Sequence, residues 1–395
     1  MSNLSMFSYS WDLAENGVAK SVEEFKSLGI NTVTLASSYH AGKFLRPKSK
    51  VKKVYFPEDG TVYFKSDASK YGEIKPISNS IYGDGQILRE LTETKGLSVS
   101  AWLVLLHNTQ LGTKHQDSAV QNAFGDPYVY ALCPSAPEAR AYAVGLAKDV
   151  TESYEVDGIS VESIGFPPYE HGFHHEMSFV KPNKWLSQNL GLCFCKYCVA
   201  GAEKAGVDAK ALKARVAKNI HDYLEGDFDL QTDMAEALWL ADVEGDLDLR
   251  KFLDFRSQVV TSLAKEIRQS VRKDIEVAII PSVARPTGGA WYEGTDLKAI
   301  AETTGVIEAC FYEPSTDRIN ADLADIKRRT NNTGKIKGIL RPAFPDLTSE
   351  AAVVDAVAVL WEGGVKDIGF YNYGHIRSQS LNWIKRALAA VNKNE

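Results

Sequence analysis

Eight short apolar runs, each followed by an amphipathic helical pattern, restrict the fold of this chain more than any other feature. The runs lie at 6–10, 32–37, 99–106, 158–164, 277–283, 306–312, 336–340 and 368–371. Most are rich in β-branched or aromatic residues and poor in charge, as strands covered on both faces should be. Between them, apolar residues recur at helical steps: Val18, Val22, Phe25 and Leu28; then Phe252, Phe255, Val259, Leu263 and Ile267; then Leu381, Ile384, Leu388 and Val391. Gly29, Gly96, Gly305 and Gly364 each stand where a helical pattern gives way to a strand, the place for a left-handed cap. A βα order kept through eight units predicts an α/β fold with a parallel sheet, and eight is the closing number of a (β/α)8 TIM barrel. An open doubly wound sheet is the alternative, but no glycine-rich phosphate loop follows the first run.

Length then fixes where the remaining chain goes. A plain barrel needs about 250 residues, and this chain has 395. The excess falls in three stretches, 41–82, 107–136 and 167–250, after strands two, three and four. All three leave the C-terminal ends of strands, the face on which barrels build active sites. The expectation is therefore one TIM-barrel domain over 1–395, with insertions at its mouth. The 41–82 insertion should hold a hairpin at 54–64, turning at Pro57-Glu58-Asp59-Gly60. The 107–136 stretch reads as a polar loop. The 167–250 insertion carries a cysteine cluster and a helical stretch from 200 to 241.

With 45 basic and 51 acidic residues the net charge is −6, which offers no general footprint for nucleic acid. No run approaches the roughly 18 apolar residues of a membrane span, and residues 1–14 lack the basic-then-apolar pattern of a secretory signal. A cytoplasmic location is expected, in which thiols stay reduced. Homo-oligomer formation is compatible with the composition.

Two carboxylates stand at strand ends. Strand four ends Val161-Glu162-Ser163, and strand six ends Tyr312-Glu313-Pro314. A pair of carboxyls across one mouth suits glycoside hydrolysis, one protonating the leaving oxygen and the other attacking carbon or activating water. The competing reading is that either glutamate pairs with an arginine near its strand end. Aromatic residues collect on the same rim: Tyr9, Trp11, Tyr39, Phe166, Tyr169, Trp291, Tyr292, Tyr312, Tyr371 and Tyr373. Such rings pack against the C–H faces of sugars. Tyr9, Trp11, His40, His107, Arg285, Trp291, Tyr312, Arg341, Tyr371 and His375 are the candidate substrate contacts. Arg285 and Arg341, with Lys43, Arg46 and Arg377, leave room for an anionic sugar, or else balance carboxylates at the mouth. His171, His174 and His175 form a further cluster beside Glu176, either a metal tract or a polar pocket lining.

Cys193-Phe194-Cys195-Lys196-Tyr197-Cys198 is a C-x-C-x-x-C motif. Three such thiolates suit a tetrahedral zinc, and Cys133 is the best candidate for the fourth ligand. Four sulfurs close the coordination shell, so such a zinc is structural, fastening the insertion, and catalysis needs no cofactor. Buried free cysteines or a disulfide are the alternative. Cys310, inside strand six, reads as core.

On Cys133, the Cys193–Cys195–Cys198 trio and Asp157-Gly158 leading to Glu162, the chain resembles TIM-barrel glycoside hydrolases. It is similar to the zinc-containing β-galactosidases, which carry a C-x-C-x-x-C cluster after strand four, and to the related hypothetical glycosyl hydrolase families. That resemblance implies Glu162 as acid/base. It also implies a nucleophile at the end of strand seven, where this chain reads Ile339-Leu340-Arg341-Pro342 with no carboxylate. Other glycosidase barrels pair strands four and six, leaving Glu162 and Glu313 with exchangeable roles. The expected function is an exo-acting glycoside hydrolase on a small glycoside or oligosaccharide. The alternatives are a metal-dependent sugar isomerase, epimerase or lyase using His107, Glu162, His174, His175 and Glu176, or a non-catalytic carbohydrate-binding barrel.

Overall fold

Eight parallel strands close into a barrel in this computed structural model, which describes residues 2–392 apart from 171, 172, 174, 175 and 283. They are β1 (Leu4–Ser8), β2 (Thr32–Tyr39), β3 (Ser98–Val104), β4 (Gly158–Glu162), β5 (Glu276–Ile279), β6 (Gly305–Cys310), β7 (Lys335–Leu340) and β8 (Asp367–Phe370). Each pairs in parallel with its successor, and β8 returns to β1 with Leu4 opposite Ile368. The outer ring is α1 (Val18–Leu28), α2 (Gln86–Thr92), α3 (Pro137–Ser153), α4 (Leu247–Ser270), α5 (Leu297–Thr304), α6 (Thr316–Thr330), α7 (Glu350–Glu362) and α8 (Ser378–Asn392). The chain is thus an α/β TIM barrel. Gly29 and Gly305 close α1 and α5 in the left-handed region, at φ +90° and +80°, where a side chain is strained.

The 41–82 insertion departs from its expected form. Residues 54–64 do not pair with one another. Val54–Tyr55 runs antiparallel to Phe44–Leu45, while Thr61–Val62 pairs with the end of β2, Val62 opposite Ser38. The register of β2 shifts between Ala36 and Ser38, and its last residues outrun the barrel. Their backbone groups are available to another strand, and satisfying them outweighs a local turn.

The 107–136 stretch is likewise more than a polar loop. It forms a helix, Thr109–Lys114, and a ribbon of Ala119–Gln121 against Pro127–Leu132. The third insertion supplies four helices: Lys184–Leu190, Lys196–Lys204, Ala209–Glu225 and Thr232–Gly245. Asn183, Asp208 and Asp246 cap helices here through their side chains, accepting from backbone N–H groups. No helix among the described residues is long and apolar enough to cross a membrane.

Inside the barrel, polarity is layered. Low down, Ser160, Glu308 and Lys337 are all buried, with the Ser160 hydroxyl on Glu308 and the Lys337 amine 3.0 Å from Glu276. Above them sits an apolar and aromatic layer that includes Phe7, Trp102, Cys310 and Ile339. Tyr9, Tyr39, Tyr312, Tyr371 and Glu162 complete the C-terminal mouth.

Candidate active site

Glu162 is the last residue of β4 and half-buried. The indole N–H of Trp102, from the neighbouring β3, donates to its Oε2 at 2.8 Å. Burial raises the Glu162 carboxyl from 4.5 to about 7; the indole opposes this and the Glu308 charge below adds to it. Ser163, the next residue, sits at φ +59° without being glycine. Strain of that kind concentrates where a chain must aim a functional side chain.

Glu162 opens into a cleft walled by Leu106, His107, Ser163, Pro167, Ile280, Ser282 and Glu293. Glu293 was not among the expected catalytic residues. It ends the 3₁₀ helix Thr287–Glu293 after β5 and accepts a hydrogen bond from the Ser282 hydroxyl. Burial is the main reason that its carboxyl is lifted to about 7; the charge of Glu162 adds to this, while Arg256 and Lys184 pull the other way. Two carboxyls thus face one cleft, and the charge of Glu162 acts on Glu293. The sequence pointed to Trp291 and Tyr292 and passed over the carboxylate beside them.

Glu313 is placed differently. It is 3% exposed, does not line the cleft, and is paired with Arg318 of α6 at 2.5 Å. This is the arginine pairing that competed with a catalytic role, made by an arginine on the following helix.

The remaining candidates divide among the wall, the floor and the rim. Tyr9 stacks on Trp11 at 4.4 Å, and both are buried. The hydroxyls of Tyr9 and Tyr39 reach that of Tyr371 at 3.1 and 3.4 Å. Rings continue from Tyr39 to His40 at 4.3 Å and from His40 to His107 at 4.5 Å, where the cleft begins. His375 packs edge-on to Tyr9, and burial lowers its imidazole to about 4. Arg285 and Arg341 both lie over the Tyr312 ring. Trp291 packs on Tyr292, whose ring carries Lys184 at 4.2 Å; neither aromatic lines the cleft. Arg46 is buried in ion pairs with Asp12 and Glu15. His171, His174 and His175 lie outside the described residues.

A second cluster lies behind the cleft. Cys133, Cys193, Cys195 and Cys198 are buried, unbonded to one another, and have sulfurs all within 4.8 Å of each other. Cys133 Sγ is 3.8, 3.6 and 3.5 Å from those of Cys193, Cys195 and Cys198. The N–H groups of Gln121 and Ser135 point at Cys193 and Cys133, each at 3.4 Å. Among the described residues this is the one group with metal-ligating geometry.

No protein-family model matches the sequence, and no curated protein matches it. Among solved structures, the chain is similar to the glycoside hydrolase domain of PgaB (BpsB) from Bordetella bronchiseptica. The identity is 14% over 97% of this chain and 98% of that one, with a TM-score of 0.56. It is also similar to α-L-fucosidase isoenzyme 2 from Paenibacillus thiaminolyticus, at 10% identity and a TM-score of 0.57. That match covers 99% of this chain and 49% of the fucosidase, about half of its length. At such identities the likeness is one of architecture, and the architecture it establishes is the TIM barrel.

Proposed function

We propose that this protein is a glycoside hydrolase whose working carboxyls are Glu162 and Glu293. The observation that carries this reading is the placement of both groups in one cleft at the C-terminal mouth, each held near neutrality by burial. A pair of this kind holds one proton at pH 7. Glu293 feels the charge of Glu162 as well as the cationic Arg256 and Lys184, and Glu162 feels the anionic Glu308, so the two carboxyls share that proton. We assign the acid role to Glu162 and the carboxylate role to Glu293.

In the reaction, Glu162 passes its proton to the glycosidic oxygen as the bond from that oxygen to the anomeric carbon breaks. The Glu293 carboxylate stabilises the positive charge that develops on the sugar. Water then adds to the anomeric carbon and gives up a proton to the ionised Glu162, which the Trp102 indole holds in place, so that the acid is restored. His107 in the cleft wall, with His40 and Tyr39 stacked behind it, supplies ring surface for the sugar. That the PgaB domain and the fucosidase carry glycosidase names on this architecture supports the reading by analogy. The expected mode is exo-acting, on a small glycoside or oligosaccharide.

The cysteine cluster is assigned a structural zinc held by Cys133, Cys193, Cys195 and Cys198. Four thiolates at about 2.3 Å from zinc lie about 3.8 Å apart in a tetrahedron, and the distances from Cys133 fit that spacing. When bound, the metal supplies a cross-link between the second and third insertions and takes no part in bond cleavage.

The test is turnover of a panel of aryl glycosides by the wild type and single variants. Glu162→Gln and Glu293→Gln should each lower kcat by about 10²–10⁴-fold with the fold intact, while Glu313→Gln should keep kcat within a few-fold. Full turnover in Glu293→Gln would remove it from the mechanism. Collapse of kcat in Glu313→Gln, with its circular dichroism unchanged, would restore the strand-six pairing.

A further inference from the structure

We propose that the barrel mouth contains an anion subsite, and that the natural glycoside bears a carboxylate or sulfate read by Arg285 and Arg341. This inference rests on the hydrolase reading above and narrows it to a substrate class.

Arg285 follows β5 and Arg341 follows β7, yet both guanidinium groups converge on the single ring of Tyr312, just beyond β6. Their central carbons lie 5.4 and 4.6 Å from its centroid. The ring orients the cations by cation–π attraction but does not neutralise them. Burial raises the Cys310 thiol inside the barrel above its usual range, and the Arg285 charge partly offsets this, so the guanidinium acts inward towards the mouth. In the same way, Arg341 partly offsets the burial that raises the Tyr371 hydroxyl. Both cations thus gather over one ring at the C-terminal end of the barrel, outside the cleft that Glu162 and Glu293 line.

The counter-charges do not balance. Asp346 takes Nε of Arg341 at 2.5 Å. Arg285 is exposed, and no carboxylate among the described residues lies within ion-pair distance of it. The carboxylates nearest in the chain and in the barrel are already engaged. Glu313 is held by Arg318, and Glu308 by Ser160 and Lys337. Glu293 is opposed by Arg256 and Lys184 rather than by Arg285. One ring thus holds two cations against one counter-ion. A guanidinium fork matches the two oxygens of a carboxylate or sulfate, whereas a neutral hydroxyl leaves its charge uncompensated.

The experiment is calorimetric binding of D-glucuronate, D-galacturonate, glucose 6-sulfate, glucose and galactose to the purified protein. At least one acidic sugar should bind tenfold or more tightly than its neutral parent, with a preference that weakens as salt is added. The uronates and the sulfate distinguish the two anion chemistries. Arg285→Gln should abolish most of the preference, and because Arg285 is exposed this variant tests the idea even where Arg341→Gln disturbs folding around Asp346. Equal binding of neutral and acidic sugars, an unchanged preference in Arg285→Gln, or no binding of any acidic sugar at millimolar concentration overturns the subsite. Turnover confined to neutral aryl glycosides would also overturn it while leaving the hydrolase reading standing.

Discussion

A carboxyl that a fold keeps protonated near neutrality weakens that fold once it ionises. Glu162 titrates at about 7 in the folded chain and at 4.5 in its ordinary state, so between those values the folded protein binds the extra proton. Its contribution is therefore most favourable below pH 4.5 and declines as the pH rises towards and through 7. Glu162→Gln removes that penalty. The variant should melt about 2 °C above the wild type at pH 8, with the difference vanishing near pH 4.5, even though its turnover is lost. Scanning calorimetry at both pH values checks this, and a lower Tm for the variant at pH 8 would show that the carboxylate is better solvated than its surroundings imply. The same titration predicts that kcat/KM falls as the pH rises above about 7, because the acid loses its proton.

Among the elements, the insertions decide most of what the barrel can do, and they were the least legible from sequence. If Cys133, Cys193, Cys195 and Cys198 hold zinc, the metal joins the ribbon of 119–132 to the helices that begin at Lys196. Purified protein should contain about one zinc per chain. Removal by a chelator in mild denaturant should expose 184–245 to proteolysis before the barrel strands. Metal-free protein of unchanged protease resistance would sink the assignment. The cysteine spacing was readable because ligand geometry constrains sequence locally. The pairing of 54–64 was not, because the partner of Thr61–Val62 is the end of β2, more than twenty residues earlier, and no local pattern encodes it. Glu293 was missed for a related reason: it follows a strand by way of a 3₁₀ helix, where neither the two-residue nor the 3.6-residue period applies. Its only local signals were the aromatic pair before it and Gly294 after it, which turns at φ +82°. Glu162, at the end of a regular strand, needed only the strand count.

At the scale of the whole barrel, closure depends on a buried charge network that the sequence analysis did not anticipate. Lys337 of β7 is 5% exposed, lies 3.0 Å from Glu276 of β5 and 3.7 Å from Glu308 of β6, and so ties three successive strands together. The opposite edge of Glu308 receives the Ser160 hydroxyl from β4, carrying the network across the interior. Its two carboxylates raise the Lys337 amine above its usual range, although burial alone would lower it, so the charged form is favoured throughout the neutral range. Lys337→Met keeps the aliphatic volume but leaves Glu276 partly, and Glu308 wholly, without a cation in a buried site. The expected loss is about 3–5 kcal/mol of stability, read as a shift of the urea midpoint with an unchanged slope. The charge that Glu308 exerts on Glu162 then has no cation beside it, so the alkaline limb of kcat/KM should shift from its wild-type position in whatever folded protein remains. A stable Lys337→Met variant with the wild-type pH profile would mean that the barrel base and the mouth are electrically independent. A destabilised variant with a displaced limb would establish that the charges closing the barrel also set the acidity of its catalytic proton.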